Sequence, residues 1–198
     1  MIIEPYQRLS YLINESWQIL FQRIVSGKQS INKEASLQLQ LARILNDLGN
    51  AYCILPNETF QLELETGYNG KNIDITCHLG EVKAAIELKC FMKSSNRAKD
   101  LDMYDALIDV ERLESFEDFD IKKFFCLTDN KYYAEYEQKG MASSVSLKNG
   151  TIYKTNQEII PLWTGKWKVK RDKPIIFKNE IMCDWISKNN WYYWQVDL

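Results

Sequence analysis

The sequence is short of histidine, of long apolar runs and of any surplus of one charge, and each shortage removes a class of function. One histidine, His78, in 198 residues leaves no set for a His-rich zinc site or for catalysis shared among several imidazoles. No apolar stretch approaches the roughly 20 residues that cross a bilayer. The opening MIIEPYQRLS lacks the basic region and apolar run of a secretory leader. These features predict a cytoplasmic protein with no membrane partner. Lys+Arg 25 against Asp+Glu 27 give a formal net charge of −2, so any attraction for nucleic acid has to come from a local basic patch. The five cysteines, Cys53, Cys77, Cys90, Cys126 and Cys183, are odd in number and contain no CxxC pair; reduced, mostly buried thiols are expected. What remains is carboxylate, lysine or tyrosine chemistry.

The chain does have enough apolar residues for a substantial core, 45% of the total with 26% charged, in a length that suits one domain or a domain with a small appendage. Tyr6, Leu9, Ile13, Trp17, Leu20 and Ile24 recur at three- and four-residue intervals and predict a helix ended by Gly27. A second helix is expected from a cap at Ser30 or Asn32 through Leu37, Leu41, Ile44, Leu45 and Leu48 to a stop at Gly49. AYCIL, TFQLELET, NIDITCHL and EVKAAIELKCF then read as strands, punctuated by Gly67, Asn69-Gly70 and Gly80. Ser94 to about Phe116 returns to helical spacing, with Leu101, Tyr104, Leu107, Ile108 and Leu113 inward and Asp102, Asp105 and Asp109 outward as a solvated face. KKFFCLTD reads as a buried strand. Residues 1–130 are therefore expected to form an N-terminal helix and an α/β core with a mixed sheet. Residues 131–198 form a β-rich, aromatic extension, where Trp163, Trp167, Trp185, Trp191 and Trp194 lie among Lys166, Lys168, Lys170, Arg171 and Lys173. Those aromatics can stack bases or pack a small lobe or dimer surface.

The chemistry is concentrated in KNIDITCHL and EVKAAIELKCF. A two-residue turn at Gly80-Glu81, with glycine first as a type II′ turn favours, pairs Leu79 with Val82 and so sets Asp74 directly opposite Glu87. Opposite residues of an antiparallel pair share a face, and Lys89 joins Glu87 there by alternation. Two carboxylates between apolar neighbours repel and are costly to desolvate, a cost that a bound Mg²⁺ or Mn²⁺ removes. Against this stands the plainer possibility of an amphipathic strand whose Lys89 pairs across to Asp74. His78, near the hairpin end, is read as a surface residue, and Glu63 and Glu65 share one face of the preceding strand, which either lies near this site or is simply exposed.

NID at Asn72–Asp74 and IELKC at Ile86–Cys90, inside a helix, meander, helix and strand, resemble the PD-(D/E)xK nuclease superfamily, although Ile73 stands where proline is usual. The resemblance covers about Ser30 to Asn130. It implies a restriction-endonuclease-like core, Mg²⁺- or Mn²⁺-dependent hydrolysis of DNA phosphodiester bonds, Asp74, Glu87 and Lys89 as catalytic residues, and Glu34 in the helix before the meander as a third acid and metal ligand. It further implies backbone contacts from Lys93, Asn96, Arg97 and Lys99 at the start of the next helix, and a homodimer for cutting both strands. A non-catalytic nucleic-acid-binding or assembly module of the same fold is the alternative, and an interaction domain built on the tryptophan-rich tail a third.

Overall fold

The computed structural model describes residues 4–162 and 171–198. It is an α/β structure whose six-stranded mixed sheet has the order β1-β2-β3-β4-β10-β9. The strands are β1 (Phe60–Tyr68), β2 (Lys71–Leu79), β3 (Val82–Phe91), β4 (Ile121–Thr128), β9 (Trp185–Lys188) and β10 (Trp191–Asp197). Two compact units divide the chain: residues 1–88, 116–123 and 197 form one, and residues 89–115, 124–196 and 198 the other.

In the first unit, helix α1 (Pro5–Val25) has proline at its first position, where no amide is needed. Leu9, Ile13, Trp17, Leu20 and Ile24 are buried as the spacing predicts, while Tyr6 is half exposed. Gly27 ends the helix at φ +71, with Gly27 N–H donating to Ile24 O and Lys28 N–H to Arg23 O, both at 2.9 Å, the glycine-terminated Schellman arrangement. Helix α2 (Glu34–Ala51) starts later than expected, because Ser36 Oγ, rather than Ser30 or Asn32, accepts from the amides of Asn32 and Lys33. It also continues through Gly49. That glycine is a point of close approach: a methyl group there would overlap the Phe60 ring. AYCIL is not a strand but the end of α2 and the turn after it. Glu58 takes the Ile54 amide at 3.2 Å and pairs with Arg8, both side chains almost wholly buried.

Asn69 (φ +50) and Gly70 (φ +78) join β1 to β2, the positive pair that a type I′ hairpin turn requires. At Gly80-Glu81 only Gly80 is positive, φ +61, as a II′ turn requires, and β2 pairs with β3 from Leu79↔Val82 to Ile75↔Ile86 in the expected register. Asp120 N–H donates to Lys83 O at 3.0 Å near the start of β3 and β4. Thr128 Oγ1 donates to Phe91 O at 2.5 Å near their ends. The two strands therefore run in the same direction, and the helix between them is the crossover that a parallel pair needs.

In the second unit that crossover is α3 (Lys99–Glu114). Its acidic residues are not a solvated face. Asp102 is 3% exposed and Glu114 5%, and Asp102, Asp105, Asp109, Glu111 and Glu114 each hold a partner outside the helix, as described below. A short helix α4 (Tyr132–Glu135), a 3₁₀ turn (Gly140–Val145) and two small antiparallel pairs follow, β5 (Ile152–Tyr153) with β8 (Ile181–Met182) and β6 (Glu158–Ile159) with β7 (Ile175–Ile176). The β9–β10 hairpin turns at Asn189 and Asn190, both at positive φ. Trp194 is fully buried, its ring 5.2 Å from Phe124 and its Nε1 donating to Met182 O at 2.9 Å. Trp185 Nε1 donates to Leu147 O at 2.6 Å. These two tryptophans are packing residues and not a stacking surface. Trp163, Trp167, Lys166, Lys168 and Lys170 lie outside the described residues, while Arg171 and Lys173 are tied to α3. The five cysteines are thiols rather than disulfides; burial pushes the Cys77 thiol up to about 12.

Candidate functional site

Three acids fall in one row across β1, β2 and β3. The β1–β2 register flanks Glu65 and Asp74 with the pairs Leu64↔Ile75 and Thr66↔Ile73, and the β2–β3 register carries Asp74 to the position opposite Glu87. The ladder opens at this row. Glu65 sits at φ +54 inside a strand, a left-handed conformation that a residue other than Gly, Asn or Asp seldom adopts. The β2–β3 pairing stops at Ile75↔Ile86, and beyond it Leu88 N–H donates to Asp74 Oδ2 at 2.6 Å. A carboxylate has thus taken an amide that a regular ladder gives to a backbone carbonyl.

Helix α2 holds the row from one side. Gln38 Nε2 donates to Asp74 O and to Glu65 Oε1, both at 2.7 Å, and Asn72 Nδ2 reaches Glu65 Oε2 at 3.3 Å. Thr66 Oγ1 and Thr76 Oγ1 share a 2.7 Å hydrogen bond across β1 and β2. Asp74 is half-buried, whereas Glu87 is 1% exposed. Glu34, the first residue of α2 and half-buried, lies one helical turn before Gln38 on the same face. Gln38 thus reaches the row from α2, one turn beyond the expected acid. Glu65 was legible only as one of two alternating acids; the positive φ that sets it apart has no signature in a glutamate.

Lys89 follows Glu87 by two residues on β3 and is half-buried. Its Nζ is paired with Asp109 Oδ2 of α3 at 2.5 Å, and Asp109 Oδ1 meets Arg112 at 3.1 Å. The Asp109 pair sets this lysine against α3 rather than in open solvent. Of the expected backbone-contacting group, Lys93, Asn96, Arg97 and Lys99 are all exposed. Lys93 gives its amide to Asp129 at 2.6 Å, Arg97 is paired with Asp102 at 2.9 Å and with Asp105, and Lys99 Nζ stands 4.8 Å from the Tyr132 ring centroid. His78 is half-buried and paired with Lys83 toward the hairpin end, four positions along β2 from Asp74.

No family model matches this chain, and comparison with curated proteins and with solved structures returns no match. The chemistry therefore rests on the residues themselves. Among the described residues no group of three or more His, Cys, Asp or Glu side chains is arranged to hold a metal ion. Asp74 and Glu87 do supply a hard, oxygen-only donor set. Mg²⁺ commonly takes one or two carboxylates and fills its octahedron with water and phosphate oxygens. A carboxylate that accepts one N–H also keeps further lone pairs. Two acids at an opened ladder fit that ion; among the described residues no three are arranged as a cage. No helix among the described residues is long and apolar enough to cross a membrane.

Proposed function

We propose that this protein is a Mg²⁺- or Mn²⁺-dependent hydrolase of DNA phosphodiester bonds, built on a PD-(D/E)xK-type core. The observation that carries the reading is the register that sets Asp74 opposite Glu87 where the ladder opens. A regular amphipathic strand has no need of that opening. Asp74 and Glu87 are the residues that would hold the cation, with Glu34 as an outer acid acting through water. When bound, such an ion polarises phosphate oxygens and lowers the pKa of its water.

The chain's own groups do the rest. The Leu88 amide orients the Asp74 carboxylate, and Gln38 holds the backbone carbonyl of the same residue. Lys89 holds a positive charge beside the strand position of Glu87, where it favours an anionic nucleophile or the extra charge of the phosphoryl transition state. Asp109 limits the rotamers of Lys89 and thereby orients it. Lys93, Asn96, Arg97 and Lys99 contact the DNA backbone, and a homodimer supplies two sites for two strands.

A second reading, a non-catalytic nucleic-acid-binding module of the same fold, is favoured by one observation: the Lys89 ammonium is already held by a carboxylate. Plasmid nicking and single-strand cleavage in Mg²⁺ or Mn²⁺, run beside metal calorimetry, decide between them. Cleavage abolished by Asp74→Ala supports the hydrolase. A parent protein that neither binds divalent metal nor cuts nucleic acid leaves the module.

A further inference from the structure

The second compact unit carries a basic and aromatic groove that the hydrolase reading uses only in part. Arg97 and Lys99 at the start of α3, with Tyr132 of α4 and Lys139, line a space of about 380 Å³ whose single carboxylate is Asp100. Asp100 Oδ1 is turned to its own helix, accepting from Leu101 N–H at 3.1 Å. Arg97 is anchored by Asp102 and Asp105, with its side chain 45% exposed, so it is a fixed cation. Lys99 is different: it rests on the Tyr132 ring, its ammonium 4.8 Å from the centroid. A second such pair stands beside it, Lys131 Nζ 5.3 Å from the ring of Tyr136, which is 45% exposed. The two tyrosine rings are 6.3 Å apart.

We propose that this groove binds single-stranded nucleic acid, one backbone phosphate held by Arg97, Lys99 and Lys139 and unpaired bases stacked on Tyr132 and Tyr136. A lysine ammonium over an exposed tyrosine face is a weakly held occupant, worth about 1 kcal/mol at such sites. Phosphate gives that ammonium a stronger partner, and the base takes the vacated face. Every base has such a face, so the contact tolerates any sequence. Paired bases keep their faces inside the duplex, which makes the groove selective for unpaired strands. The sequence KYYAEYEQK, residues 131–139, thereby does what the tryptophan- and lysine-rich tail was a candidate for. This inference rests on the nucleic-acid part of the reading above and not on its hydrolytic part.

The test is fluorescence anisotropy of a labelled oligothymidylate with the full chain in excess chelator, where metal-dependent cleavage cannot occur, with a duplex of equal length and inorganic phosphate as competitors. The expected result is binding that the single strand competes for better than the duplex, and that phosphate relieves only weakly. Tyr132→Leu, which keeps apolar packing but removes the ring, should weaken binding about 5- to 100-fold, the range for one lost base stack. Lys139→Glu, at an exposed position, should weaken it and flatten its salt dependence. Lys28→Ala, on the loop after α1, should bind as the parent does, and thermal melts establish that each variant is folded. Parental binding by both Tyr132→Leu and Lys139→Glu, equal affinity for duplex, or no binding by the parent overturns the proposal. A parent that binds but never cuts when metal is restored overturns the hydrolase and leaves the groove. A parent that cuts while both groove variants bind normally overturns the groove alone.

Discussion

Two sets of acids in this chain look alike in sequence and differ in surroundings: the row Glu65, Asp74 and Glu87 across β1–β3, and the face Asp102, Asp105, Asp109, Glu111 and Glu114 of α3. The α3 acids meet cations, hydroxyls and backbone amides of their own unit. Asp102 accepts from Tyr133 OH at 2.7 Å, and Asp105 takes Arg171 in a two-pronged contact at 3.0 Å. Glu111 holds Lys173 at 2.6 Å and the Ile176 amide at 2.9 Å, while Glu114 takes the amides of Lys178 and Asn179 at 2.8 and 2.9 Å. Neutral donors reach the row: the side-chain amides of Gln38 and Asn72 on Glu65 and the Leu88 N–H on Asp74. A cation cancels the charge of the acid it meets, whereas a hydrogen bond from a neutral dipole stabilises that charge without cancelling it. Position on a helix or strand does not tell these cases apart, but the partners do.

That contrast is open to breakage, most severely at the row. Asp74→Ala and Glu87→Ala should each abolish metal-dependent cleavage and weaken metal binding by calorimetry, yet leave a folded chain whose metal-free melting temperature equals or exceeds the parent's, because repulsion is relieved. If either variant unfolds while cleavage per folded molecule persists, the row is a fastening too. Lys89→Met comes next. Cleavage should be lost with metal affinity kept or raised, since the lysine is not a ligand; cutting at the parental rate removes Lys89 from the mechanism.

On α3 the expected effect is on stability. Glu114→Ala removes the shared acceptor of the Lys178 and Asn179 amides, which costs about 1 kcal/mol each, read as a lower midpoint in urea with cleavage per folded molecule unchanged. The sign of pH dependence separates two further acids. Hydrogen bonding to Arg8 holds Glu58 below the ordinary carboxylate range, so its contribution is complete above the unfolded pKa and lost as pH falls through the folded one. Burial raises Asp102, so the folded chain takes up that proton first and gains stability from it as pH falls from the folded value toward the unfolded one. Glu58→Gln should therefore flatten the acid loss of stability, and Asp102→Asn should steepen it; denaturant midpoints across the acid range read both. Smallest is Gln38→Ala, about 1 kcal/mol of stability, with a larger proportional effect on cleavage as Asp74 loses its anchor.

Much of the meander was legible because turns set register: Gly80-Glu81 admits one pairing, and that pairing carries Asp74 to Glu87. The order of helix, meander, helix and strand followed from periodicity alone. AYCIL misled because apolar residues after a helix satisfy a strand pattern, and the turn that replaces it depends on Glu58 reaching Arg8, a contact 50 residues away in sequence. Gly49 carries the signature of a helix stop but serves to admit the Phe60 ring, a tertiary reason. The α3 acids were read as solvated because a 3.6-residue period shows which side a residue takes and not what will cover it. Their partners Arg171, Lys173 and Asn179 arrive more than 60 residues later.

The placement of the tryptophans gives the molecule two built-in optical reporters. Trp17 is the only tryptophan of the first compact unit and is fully buried, so its emission follows the loss of the α1 core alone. Among the described residues, Trp185, Trp191 and Trp194 belong to the second unit, where Trp194 is sealed against Phe124. A Trp17→Phe chain lacks the signal of the α1 core, and subtracting its curve from the parent's isolates that core. Coincident curves identify one cooperative transition, and separated curves identify two that melt in turn.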